Sequence, residues 1–386
     1  MARRLGILVA LLACAGVLVY VERAPEKPLA LQPFPDSIEY ASSARSLALG
    51  DGFYTHAFDN AREPPEYPPG YPMALAPFAT VGSYPLDVQR GAKFWALFYV
   101  LVALVAAWVL GGAGAATVMA GLIAVSPFAR DAAGIVMSDV YVGALTVLML
   151  PLLHFSTKNG TRLAGAATGL AVLARITAGV NLLVLLIAAP RRSYRTIVIW
   201  ALPSLVGLAL LQWIFYGSPF TTGYSYWGVM TNWFRPLFLW SNSAVVHEGS
   251  AIFAARFQTD LFSWVCPCQV GGPQASLPNI FFYPLLLAGG FWVFSPPLVS
   301  LFGLFYAWRH RSEPVGRFAL ALVALSLLLF DFYFYQGTRF MVGPATVLTV
   351  LASVWLSEGA GHLARWLAPR AGALRPRRSI ASPRPP

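Results

Sequence analysis

The chain has 386 residues, of which 57% are hydrophobic and only 11% charged, with a mean hydropathy of +0.62. A soluble domain carries roughly 25% charged residues. The deficit excludes a soluble protein and fits a chain whose solvent is lipid, where charged groups are expensive. The net charge is +11, but the basic residues fall in short clusters between apolar runs: Arg3-Arg4, Lys158 with Arg162, Arg191-Arg192 with Arg195, Arg309 with Arg311 and Arg317, and a tail from Arg365 to Arg384. That pattern marks cytoplasmic loops and argues against nucleic-acid binding.

Residues 5–21 form the first apolar run, near the lower limit of about 17 residues for a span. A cleaved signal peptide competes with this reading, because Leu11-Leu12-Ala13-Cys14 brushes against a lipoprotein processing pattern. The run continues past Cys14 with no small-residue site after it, which favours a retained helix. Residues 22–92 are hydrophilic and hold nine acidic residues. Apolar runs follow at 94–110, 115–128, 137–155, 163–189 and 196–216, then a second long loop at 217–279. The last runs are 280–307, 318–335 and 340–356, before a Pro/Arg-rich tail, 357–386, whose composition predicts cytoplasmic disorder.

The run 163–189 admits two readings. One helix would put Arg191, Arg192 and Arg195 on the opposite side from Lys158 and Arg162. Two short helices turning near Arg175 keep both clusters on one side, as the positive-inside rule prefers. The second reading predicts an all-α polytopic membrane protein of about ten transmembrane helices, including this short re-entrant-like pair, with both termini cytoplasmic. Inside segments then carry 16 Lys and Arg against 2 Asp and Glu, and outside segments 11 against 14.

The first outside loop is the most informative. Asp36 stands at the N-cap position of a predicted helix, residues 37–49, on which Ile38, Ala41, Arg45 and Ala48 recur at threes and fours. Capping alone is a sufficient structural reason for an Asp there. The helix ends Gly50-Asp51-Gly52-Phe53, and the loop closes with Glu66-Tyr67-Pro68-Pro69-Gly70-Tyr71-Pro72, a rigid aromatic turn into the membrane.

These features resemble the GT-C superfamily of membrane glycosyltransferases, particularly bacterial relatives of protein O-mannosyltransferases and of the lipid A aminoarabinose transferase. Further matches follow in order: Ser138-Asp139, Gly169 to Arg175, with Arg175 where the family has Lys, Gly217-Ser218-Pro219-Phe220, and Tyr335-Gln336-Gly337-Thr338-Arg339-Phe340, with Phe340 where the family has Tyr. The resemblance covers most of 1–356 and implies a transmembrane glycosyltransferase domain there. It also implies transfer of a sugar from a polyprenyl-phosphate carrier to a glycan, lipid or protein acceptor on the extracytoplasmic side of the inner (plasma) membrane. It makes Asp36 the catalytic carboxylate. Glu39, about one turn along the same face, is a second acidic candidate.

The residues support this independently of the family. Asp36, Arg130, Asp131, Asp139, Arg175 and Arg339 all fall at the outside face, where ionisable groups near membrane boundaries are functional candidates. Arg130-Asp131 is equally well read as a surface ion pair. Arg175 at the apex of a helix pair suits a lipid-linked phosphate through bidentate contacts, with snorkelling as the alternative. Asp36 is then the expected base. Arg175 and Arg339 are expected on the phosphate with Tyr67 or Tyr71, and Glu39 and Asp139 on substrate. Asp331 is a marginal partner for Arg339.

Trp227, Trp233, Trp240 and Trp264 are candidates for stacking on sugars or for interface anchoring. Cys266-Pro-Cys268 lacks a His at metal-ligand spacing, which makes a zinc reading weak. No paired-carboxylate cluster demands a metal and no Gly-rich phosphate loop suggests a nucleotide sugar, so no cofactor is expected. The rival readings are a transporter or flippase for a lipid-linked substrate, a surface-polysaccharide polymerase or ligase, and a non-catalytic assembly subunit. A transporter should show internal repeats and midplane polar groups; no convincing repeat is present.

Overall fold

A computed structural model describes residues 2–27, 29, 36–56, 62–80, 84–223, 279–288, 293–331 and 338–373. The chain is an all-α polytopic membrane protein. Among the described residues, five helices are long and apolar enough to cross a membrane: Arg4–Glu22, Leu86–Ala124, Ser138–Phe155, Arg191–Tyr216 and Arg339–His362. Shorter apolar helices cover Ile176–Ala188 and Pro314–Phe330.

The first helix, α1, spans Ala2–Glu22. In the loop that follows, α2 covers Asp36–Leu49 and α3 covers Gly70–Ala79. Helix α4, Leu86–Ala124, contains the 94–110 run and most of the 115–128 run, and breaks at Gly112, whose φ of 71° is open to glycine at no steric cost. Tyr99 and Ala103 line the same cavity as Met119 and Ile123, so the two halves of α4 fold back alongside each other. A short α5, Pro127–Ala132, leads to α6, Ser138–Phe155.

The expected break at Arg175 is present. Helix α7, Lys158–Ala174, ends where Arg175 turns extended (φ −158°, ψ 117°). A 3-10 turn over Ile176–Ala178 follows, then α8, Gly179–Ala188. Helix α9 is Tyr194–Tyr216. Gly165 lies against Ile197, and Gly169 against the backbone of Ala201. This Gly-x-x-x-Gly spacing on α7 lets the two backbones approach closely. Both contact positions rise together along the chain, so α7 and α9 run parallel. Lys158 and Arg162 therefore share one end of the bundle with Arg191, Arg192 and Arg195, and Arg175 lies at the other.

Two expectations need correction. The run 280–307 is not one helix: α10, Asn279–Leu287, and α11, Val299–Arg309, are separate. Pro296-Pro297 lies between them and has no backbone N–H to continue a helical ladder; the Leu298 amide instead donates to the Ala288 carbonyl at 2.8 Å. After α12, Pro314–Asp331, the last helix α13 runs Val342–Ala373. The tail from residue 357 is thus helical as far as Ala373. The second-loop tryptophans, Cys266, Cys268 and Tyr335 to Gly337 lie outside the described residues.

Candidate active site

The site end is built by the loop between α1 and α4 folding over the ends of α6, α7 and α9. Gly70 opens α3 directly on the end of α7: a Cβ there would come within 2.5 Å of the Ala174 nitrogen. The Pro-Pro-Gly turn is thereby fixed one residue from Arg175. Gly223, beyond α9, packs in the same close manner on the Pro65 and Glu66 carbonyls.

Asp36 opens α2 and is 7% exposed. Its carboxylate is held by two side chains from elsewhere in the chain. Oδ1 accepts from the Tyr67 hydroxyl at 2.6 Å, and Oδ2 accepts from Arg339 Nη1 at 2.6 Å. A second pair stands beside it, Arg175 donating through Nη1 to Asp139 Oδ1. Thr177 Oγ1 accepts from Arg175 Nε at 3.3 Å. The Asp139 Oδ2 atom is buried and has no hydrogen-bond partner among the described residues. The guanidinium carbons of Arg175 and Arg339 lie 5.0 and 5.5 Å from the centroid of the Phe340 ring. Asp139, Arg175, Arg339 and Phe340 share one cavity, which continues between α6, α8, α12 and the start of α13 past Thr146, Asn181 and Leu322. Asp36 joins it through Arg339. Tyr67 lines a different, aromatic cavity with Phe53, Gln212 and Phe215.

Five of the seven residues singled out in the sequence therefore meet: Asp36, Tyr67, Asp139, Arg175 and Arg339. Glu39 and Tyr71 do not reach the cavity, and both are fully buried. Glu39 Oε1 accepts from the backbone N–H of Tyr67 at 3.1 Å and from that of Glu66. Burial pushes the Glu39 carboxyl up to about 8, against the pull of those two amides and with a further upward push from the Asp36 and Glu63 charges. The Glu66 carboxyl is likewise driven well above its usual range by burial and then by Glu39 and Asp36. Tyr71 packs edge-on to Tyr40 at 5.2 Å and near Tyr141 at 6.0 Å.

Asp131 pairs with Lys27 at 3.5 Å, and Arg130 lies over Tyr20, so neither belongs to the site. Residues the sequence did not single out do belong. Tyr40 packs against Tyr67 with the rings tilted and their centroids 4.8 Å apart, and shares a 2.9 Å hydrogen bond with Ser138. Met137 Sδ lies 3.6 Å from Arg339 Nη1 and 3.7 Å from Ser37 Oγ. Tyr40 lies four residues after Asp36, a helical spacing that signals a shared face. For Met137 no sequence signal exists.

No protein-family model and no curated protein matches the sequence. Solved structures do. ArnT from Cupriavidus metallidurans in the apo state is 16% identical with a TM-score of 0.57, over 97% of this chain and 64% of that one. The same protein bound to undecaprenyl phosphate is 18% identical with a TM-score of 0.53, over 96% and 64%. The Archaeoglobus fulgidus oligosaccharyltransferase in the apo form is 15% identical with a TM-score of 0.52, over 96% and 52%. The chain thus spans less than two thirds of the length of either relative. It shares its fold with ArnT and with the archaeal oligosaccharyltransferase.

Proposed function

We propose that this protein is a membrane glycosyltransferase that moves a sugar from a polyprenyl-phosphate donor to an acceptor on the extracytoplasmic side of the plasma membrane. One observation carries the reading: a buried carboxylate and two arginines from three distant parts of the chain converge at the end of the bundle opposite the basic clusters. Basic clusters are the mark of a cytoplasmic end, which supports a site on the outside. One of the two ArnT structures holds undecaprenyl phosphate, and the shared fold is the scaffold such a carrier occupies there.

In the proposed reaction, Asp36 accepts the proton of the acceptor hydroxyl or amine. The acceptor atom forms a bond to the anomeric carbon as the bond from that carbon to the phosphate oxygen breaks. The polyprenyl phosphate leaves with the electron pair, in a single inverting displacement. Two of the roughly four acceptor positions on the carboxylate are taken by Tyr67 and Arg339, which leaves room for a third donor. Arg175 and Arg339 stabilise the charge gathering on the phosphate, the role cations play in a dry site. Asp139 holds Arg175 in place. The acidic groups lie at the end of the bundle rather than the bilayer midplane, unlike the sites expected of transporters.

The test is a transfer assay in membranes supplied with a polyprenyl-phosphate sugar labelled in the sugar. Label covalently joined to an acceptor, and lost with Asp36→Asn, is the expected result. Label that crosses the membrane still attached to its carrier would sink the proposal in favour of transport.

A further inference from the structure

We propose, resting on the reading that Arg175 and Arg339 take the donor's phosphate, that Phe340 is the positioning residue that keeps these two guanidinium groups together. The arginines arrive from separate elements: Arg175 from the break after α7, Arg339 from the 3-10 turn Thr338–Met341 before α13. Both carry full positive charge, so bringing them to one place is opposed by repulsion. Asp139 and Asp36 each offset one charge. The Phe340 ring, 5.0 and 5.5 Å from the two guanidinium carbons, is the group they share.

The ring is itself fixed. It is 8% exposed and stacks on Phe330 at 4.9 Å, with the ring planes 4° apart, and Phe330 is in contact with Tyr283 at 6.1 Å. A cation within about 6 Å of an aromatic face is drawn to its quadrupole. That attraction differs from a carboxylate's in one useful respect: it uses no N–H group. An arginine held by a ring keeps its donor edge for the oxygens of a phosphate, whereas one held only by carboxylates must give up its partner first. Phe340 carries no hydroxyl, so its hold on the arginines is the quadrupole and packing alone.

The experiment separates these two contributions. In the full chain, Phe340 is replaced by phenylalanines of increasing fluorination, which keep the ring nearly the same size while draining its negative face. Binding of undecaprenyl phosphate is measured in detergent, with Phe340→Tyr and Phe340→Leu alongside. Affinity should fall stepwise with fluorination, by about tenfold across the series if each contact is of ordinary strength. Phe340→Tyr should bind like the wild type, and Phe340→Leu like the most fluorinated ring. Affinity that stays flat or tightens with fluorination overturns the role of Phe340, while leaving the arginines as phosphate ligands. A cooperatively folded wild type that binds no undecaprenyl phosphate overturns the functional reading and this inference with it.

Discussion

Arg339 and Asp36 are separated by 303 residues of chain and joined by a 2.6 Å ion pair. The pair ties the start of α2 to the turn before α13, so the proposed base is held by a residue from the far end of the sequence. Its exposure is low on both sides, 11% for the Asp36 side chain and 25% for Arg339. Removing one member of such a pair strands the other's charge.

Asp36→Asn keeps the shape of the side chain and removes its capacity as a base. Transfer should fall by at least about 100-fold, the lower range for losing a general base. Membrane insertion and a cooperative melt in detergent should persist, with the melting temperature lowered because Arg339 loses its counter-charge. Wild-type transfer by this variant would remove Asp36 from the chemistry.

Arg175→Ala should weaken binding of undecaprenyl phosphate by about tenfold or more, as expected for the loss of charge-assisted hydrogen bonds, with little change in the KM for acceptor. It also leaves Asp139 buried without its cation, so the protein should melt earlier. Adding Asp139→Asn should restore much of the melting temperature and none of the affinity. If affinity returns as well, Arg175 matters for folding alone.

Glu39 sets the register of Tyr67 through two backbone amides, and its carboxyl is raised to about 8. An unfolded Glu titrates near 4.3, so the folded state holds the proton more tightly. The stability this gives is complete below the unfolded value and is lost as pH rises through about 8. The melting temperature should therefore decline between pH 6 and 9. Glu39→Gln, which keeps an acceptor oxygen for the amides and cannot ionise, should flatten that decline; an equally steep profile in the variant would assign the slope to other groups. Glu39→Leu should instead lower transfer, because it releases Tyr67 from Asp36.

Gly70→Ala should destabilise by about 1–3 kcal/mol, the usual cost of overpacking, because its Cβ meets the backbone of α7 at Leu173 and Ala174. Gly179→Ala is the control, since nothing lies within 4 Å of its Cβ; it should be neutral or slightly stabilising. Thermal melts of both variants decide the matter. Equal melting temperatures would mean that α3 and α7 do not rely on this close approach.

Much of the architecture is legible in the sequence, because lipid enforces a strict code. Apolar runs give the helices, and basic clusters at 158–162 and 191–195 predict a turn between them, which Arg175 makes. Asp139, Arg175 and Arg339 are visible as ionisable groups at membrane boundaries, while Asp36 and Tyr67 are visible through the resemblance of the first outside loop and its aromatic turn. The code is weaker inside a long apolar run: α10 and α11 are separate helices within the run 280–307, which hydrophobicity alone reads as one.

Which polar groups face each other was decided by tertiary structure. Spacing puts Glu39 and Asp36 on one helix face, but packing turned Glu39 to the backbone of Glu66 and Tyr67 and left Asp36 to Arg339. The sequence by itself determined that this is a membrane protein with its unusual charges gathered at one end. Only the fold could pair Asp36 with Arg339, Asp139 with Arg175, and both arginines with Phe340, because those contacts join residues that no local periodicity relates.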